Sequence, residues 1–151
     1  MFFRSDATRV SLAYRYHNPS WDLEFNQSIY GEDHNVEGIG ANMTVWLEVK
    51  GEKDPKTKLV LPEGSLEPYL REAKQLLDHR CLFEVEPWFA TQVPTLENIA
   101  EFLREKIWLK APPAGQWSRL VVEENEAWRV EIYNGHKLTR LTRFFNQGPW
   151  R

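Results

Sequence analysis

Cysteine is almost missing from this chain. With only Cys81 present, an internal disulfide is excluded, and a reducing, cytoplasmic location is the expectation. No apolar run is long enough to span a bilayer, and Met1 to Asp6 lacks the apolar segment of a secretory leader. Neither membrane insertion nor export is therefore expected. A surplus of positive charge is also missing: 19 Lys and Arg stand against 22 Asp and Glu, a net charge of −3. That balance gives nucleic acid no generic footing. Internal repeats and low-complexity tracts are not found either. What is plentiful is tryptophan. Seven of them imply large aromatic surfaces to bury, in a core or between subunits. A hydrophobic content of 42% over 151 residues suits one domain with a real core.

Alternation marks the strands. Val10, Leu12, Tyr14 and Tyr16 point one way from Arg9, Ser11, Ala13 and Arg15, and Pro19 closes this first strand. Residues 18–41 read as a long connection with Gly31, Gly38 and Gly40. Residues 42–50 form the clearest strand, with Val45, Leu47 and Val49 on one face. Ser65 is read as the N-cap of a helix whose apolar stripe runs through positions 66, 69, 70, 73, 76 and 77. That helix ends in Asp78-His79. Thr95, behind Pro94, caps a second helix with Leu96, Ile99, Ala100, Leu103 and Ile107 inward. Two more strands follow, 118–123 and 127–133. Residues 136–151 show no clear period. The order is strand, strand, helix, helix, strand, strand: an α+β fold, ββααββ, with an antiparallel sheet and both helices on one face. The domain is placed at 1–134 and a C-terminal extension at 135–151. Four strands leave open edges, which oligomerisation into a barrel would close.

Four pieces carry a family resemblance. They are Tyr30-Gly31 running to Gly38-Ile39-Gly40-Ala41-Asn42; Gly51-Glu52-Lys53-Asp54-Pro55; Leu77-Asp78-His79; and Pro94 through Ala100. In this order the chain resembles the 6-pyruvoyl-tetrahydropterin synthase / 6-carboxytetrahydropterin synthase family over about residues 8–134. The resemblance implies the T-fold (tunnelling fold). It also implies a homo-oligomer, a trimer or hexamer, with active sites between subunits.

The implied site residues divide unevenly. Glu123 falls where the family anchors the pterin ring, and Glu124 is the alternative if the register is off by one. A carboxylate suits the task because it accepts paired hydrogen bonds from an amino group and a ring N–H. Thr95 and Leu96 fall where the family lines the ring pocket. Asp78 and His79 match its proton-relay pair, and its catalytic cysteine falls on Asp33. The family's zinc, held by three histidines, does not carry over. Those positions read Tyr14, Ile39 and Ala41, and hydrocarbon side chains offer a metal no lone pair. His17, His34, Asp33 and Glu37 lie nearby in sequence, and His17, His34 and His136 are read as exposed or hydrogen-bonded polar residues. Cys81 is read as a half-buried thiol.

In the family, zinc holds the hydroxyls of the pterin side chain and acidifies the adjacent C–H bonds. The expectation here is a zinc-less member, without cofactor, that keeps a pocket for a pterin- or purine-like small molecule. Such a protein would bind without turnover, or run a metal-free reaction with Asp33 and His79 as acid and base. Two alternatives stay open. One is an active lyase with a non-standard metal site. The other is a non-catalytic structural or regulatory subunit, hinted at by Phe144, Phe145 and Trp150 in the tail.

Overall fold

The computed structural model describes residues 1–134 and the backbone of a strand at 141–145. Strands β1 (Phe2–Tyr14) and β2 (Ile39–Gly51) are paired antiparallel along their whole length, from Phe2 opposite Gly51 to Tyr14 opposite Ile39. Strand β1 starts well before Arg9. Its first residues are mostly exposed and carry no apolar alternation, so pairing with β2 rather than local preference makes them a strand.

Residues 18–41, read as a long connection, contain helix α1 (Leu23–Tyr30) and a 3₁₀ turn at Gly31–Asp33. Asp22 caps α1 by accepting the Phe25 N–H. The residue α1 buries is Asn26, while Leu23, Phe25 and Ile29 face outward. Asn26 accepts from the Asn18 N–H and donates to the carbonyls of Asn18, Trp21 and Asp22. A helix folded around a polar residue has no inward apolar stripe to read.

Helix α2 spans Glu67–Leu77 and buries Leu70, Ala73 and Leu77. Its N-cap position is Leu66, not Ser65. The Ser65 hydroxyl instead donates to the Pro62 carbonyl at 2.6 Å, closing the turn that precedes the helix. Beyond α2, where no element was expected, come the two-residue strand β3 (Arg80–Cys81), the short helix α3 (Leu82–Val85) and a 3₁₀ turn at Pro87–Ala90. Helix α4 (Leu96–Ile107) starts at Thr95 as expected, and it buries the whole expected stripe plus Phe102.

Strands β4 (Gln116–Asn125) and β5 (Trp128–Tyr133) form the second hairpin, and β6 (Leu141–Phe145) adds to β5. The sheet order is β3-β1-β2-β4-β5-β6. The expectation of four antiparallel strands is corrected at both edges. Strand β3 runs parallel to β1, and β6 lies in a stretch where the sequence shows no period. Within the tail, residues 135–140 and 146–151, including Trp150, lie outside the described residues.

The core lies on one face of the sheet, where α2 and α4 pack. Val10, Leu12, Val45, Leu47, Leu120, Val122 and Val130 meet Leu70, Leu77, Ile99 and Leu103 there. The opposite face is polar. Arg119 bridges Glu48 and Glu131 at 3.0 Å each, and Arg129 reaches Glu123 at 3.5 Å. Gly115 has φ +60, and a β-carbon there would sit 2.0 Å from the Lys50 carbonyl oxygen. Only glycine allows the chain to enter β4 so close to the end of β2.

Candidate functional site

Strand register decides which site residues meet. Tyr14 stands directly opposite Ile39, and Ala41 lies two residues along on the same face of β2. The three positions therefore share the helix-bearing face at one end of the sheet. Tyr14 is almost fully buried and stands edge-on to Tyr16, which in turn leans on Tyr30. Its hydroxyl donates to Glu124 Oε1 at 2.9 Å. Burial pushes the Tyr14 phenol well above its ordinary pKa, and the neighbouring carboxylates of Glu124 and Asp33 push it further in the same direction. Tyr14 is thus a neutral donor. Asp33, at the end of the 3₁₀ turn, belongs electrostatically to this group.

Asp78 and His79 form a second group at the edge of β1. His79 Nδ1 lies 3.0 Å from Asp78 Oδ2. The other Asp78 oxygen accepts the Ser11 N–H at 2.7 Å, and the His79 N–H donates to the Ser11 carbonyl at 2.6 Å. The pair therefore docks on the strand edge as a neighbouring strand would. This hands the chain to β3, which continues beside Leu12 and Ala13. The Ser11 hydrogen bond holds the Asp78 carboxyl below its usual range. His79 adopts φ +57 and leaves its ring 85% exposed, available to a group outside this chain.

The two consecutive glutamates at the end of β4 point to opposite faces. Glu124 turns inward to Tyr14. Glu123 turns to the polar face, into a hollow of about 230 Å³ with Trp46, Val121, Arg119, Arg129 and Glu131. Trp46 is 36% exposed there. Thr95 accepts the Asn98 N–H at 3.2 Å as the cap of α4. Leu96 has no exposed surface and belongs to the core. Within one chain, then, Tyr14, Ile39, Ala41, Asp33 and Glu124 come together. Asp78 pairs with His79 at the edge of β1, and Glu123 stands on the other side of the sheet from the Tyr14 group.

The Tyr14–Glu124 contact spans most of the chain, so no local pattern announces it. The alternation of Leu120, Val122 and Glu124 along β4 was the available signal.

Residues 11–135 match the sequence profile described as 6-pyruvoyl tetrahydropterin synthase. The chain belongs to that family. The human 6-pyruvoyl tetrahydrobiopterin synthase is 32% identical over 126 residues, covering 83% of this chain and 86% of the human protein. The synthase of Poecilia reticulata is 32% identical over 132 residues, covering 85% and 88%. The solved structure of the Caenorhabditis elegans 6-pyruvoyl tetrahydropterin synthase superposes with a TM-score of 0.78 at 24% identity. It covers 89% of this chain and 96% of that one. The T-fold expected from the sequence is therefore the fold observed.

Zinc does not suit Tyr14, Ile39 and Ala41, the positions that the resemblance assigns to the family's metal. A zinc ion takes nitrogen, thiolate or carboxylate ligands at about 2.0–2.3 Å. Ile39 and Ala41 supply hydrocarbon, and the Tyr14 hydroxyl is committed as a donor to Glu124. Among the described residues, no three His, Cys, Asp or Glu side chains are grouped to hold a metal ion. His17 and His34 do meet, with Nδ1 and Nε2 at 3.0 Å, which fits their reading as hydrogen-bonded polar residues. Cys81 is half-buried, and burial raises its thiol pKa. Among the described residues, no helix is long and apolar enough to cross a membrane.

Proposed function

We propose that this member of the 6-pyruvoyl tetrahydropterin synthase family binds a pterin- or purine-like heterocycle without the family's zinc. The observation that carries the reading is the hollow shared by Glu123 and Trp46. A carboxylate beside an exposed indole offers the two things a flat, amino-bearing heterocycle needs: paired acceptors at its edge and an aromatic plane to stack on. The hollow is smaller than the roughly 300–1,000 Å³ typical of ligand pockets, so it suits a bicyclic ring and is open to closure by a second subunit. A homo-oligomer, trimer or hexamer, is part of the proposal. It would also bring the exposed His79 of one chain to the site of another.

Any turnover would rest on Asp33 and His79 as acid and base, with Asp78 orienting the imidazole. In this reading the hydrogen-bonded Tyr14–Glu124 pair and the two hydrocarbon side chains stand where the family's zinc ligands would be.

The test is a calorimetric titration with a reduced pterin. The wild-type chain is expected to bind at about micromolar Kd. Glu123→Gln should weaken binding roughly ten- to a hundredfold, the worth of a charge-assisted hydrogen bond. Absence of micromolar binding by the wild type would remove the pocket. Loss on Glu124→Gln with Glu123→Gln unchanged would move the anchor to the inner face.

A further inference from the structure

A second hollow, of about 300 Å³, lies between the end of β1 and the segment that leads into α4. Its polar wall includes Arg15, His17, Ser20, Thr91 and Gln92. No carboxylate lines it among the described residues, although acidic side chains outnumber basic ones in the chain as a whole. Arg15 is held from two sides. Its guanidinium carbon lies 4.4 Å from the centre of the Phe83 ring, and Nη1 donates to the Val36 carbonyl at 3.1 Å. Its Nε is buried and has no hydrogen-bond partner, and Arg15 makes no ion pair among the described residues. The Nδ1 of His17 is engaged by His34 at 3.0 Å, which leaves Nε2 as the nitrogen a ligand could meet.

A buried N–H without an acceptor is a cost that folding ordinarily avoids. A guanidinium already oriented by a ring and a carbonyl is pre-arranged for an anion. We propose that this hollow is a binding site for a small oxyanion, held by the Arg15 guanidinium and by the N–H of His17. Thr91 and Gln92 complete the shell as neutral donors, while the Ser20 hydroxyl already donates to Asn18 Oδ1. The site does not depend on the pterin reading, since neither Glu123 nor Trp46 lines it. Burial, Arg15 and His34 all disfavour the charged form of His17. A bound anion opposes that, so binding tightens as pH falls and protonates His17.

Sulfate is the probe, because its charge does not change across the working range. The full-length chain is titrated at physiological ionic strength while the imidazole signals of His17 and His34 are followed by NMR. Saturable binding is expected, tighter at roughly pH 5.5 than at pH 8, on either side of the ordinary histidine pKa. Arg15→Gln should weaken it about tenfold or more, as for loss of a charge-assisted bond. Arg4→Gln, which removes an equal charge from a distant surface pair, should leave it unchanged. His17→Asn should keep weakened binding and lose the pH dependence, and this carries the test if Arg15→Gln fails to fold. Parallel titrations separate the sources: phosphate without acetate assigns a phosphate-type ligand, and equal acetate binding assigns a carboxylate. Absence of saturation with all three anions, or equal weakening by Arg4→Gln and Arg15→Gln, would overturn the proposal.

Discussion

Asp78 shows how much a single carboxylate can organise. One oxygen satisfies the Ser11 N–H at the open edge of β1, and the other orients His79. Its role depends on charge. A carboxyl whose folded pKa is depressed adds stability above its unfolded value, about 3.9, and that contribution is lost as pH falls through the folded pKa. Asp78→Ala is therefore expected to lower Tm at pH 7, with the gap to wild type narrowing in acid below the depressed value. Thermal melts across that range check it, and a gap independent of pH would contradict it. The Asp-His pair was legible in the sequence, but its partner on β1 was not, because Ser11 lies 67 positions away. Tyr14 and Glu124 repeat the lesson across 110 positions. Local spacing gives residue types and faces. It does not say which of two adjacent glutamates turns toward which neighbour until both faces of β4 have been filled.

Helix α4 was readable from end to end because every signal agreed. Pro94 and Thr95 open it, and the apolar period runs unbroken to Ile107. Thr95→Ala should cost about 1 kcal/mol of stability, the usual worth of an N-cap hydrogen bond, measured by denaturant unfolding. A change of a few tenths would mean that core packing alone sets the helix start. Helix α1 was hidden for the opposite reason. Its buried residue is Asn26 and its apolar side chains face out, so the pattern runs against the rule that marks helices. The Ser65 cap failed because a serine before a helix has a competing use, and here it bonds back to Pro62. Strand β3 is two residues long and carries no alternation to detect. It forms because the docked Asp78-His79 pair leaves the chain already aligned with Leu12 and Ala13.

At the scale of the molecule, the sheet separates two environments. The helix side is a hydrocarbon core that ends in the Tyr14, Ile39, Ala41 and Glu124 group. The far side is a network of arginines and glutamates that includes Glu123. Composition and element order were enough to anticipate an α+β fold with both long helices on one face, and the four matching sequence pieces were enough to anticipate the T-fold. The alternation along β4 hinted that Glu124 turns inward, but its meeting with Tyr14 was not legible, because it follows from the pairing of strands far apart in the chain. The account as a whole turns on ligand binding that does not need the family's metal. The most direct measurement is a reduced-pterin titration of one preparation before and after exhaustive chelation. Binding at the same Kd in both states is the predicted result. Loss of binding on chelation, restored by added zinc, would contradict it.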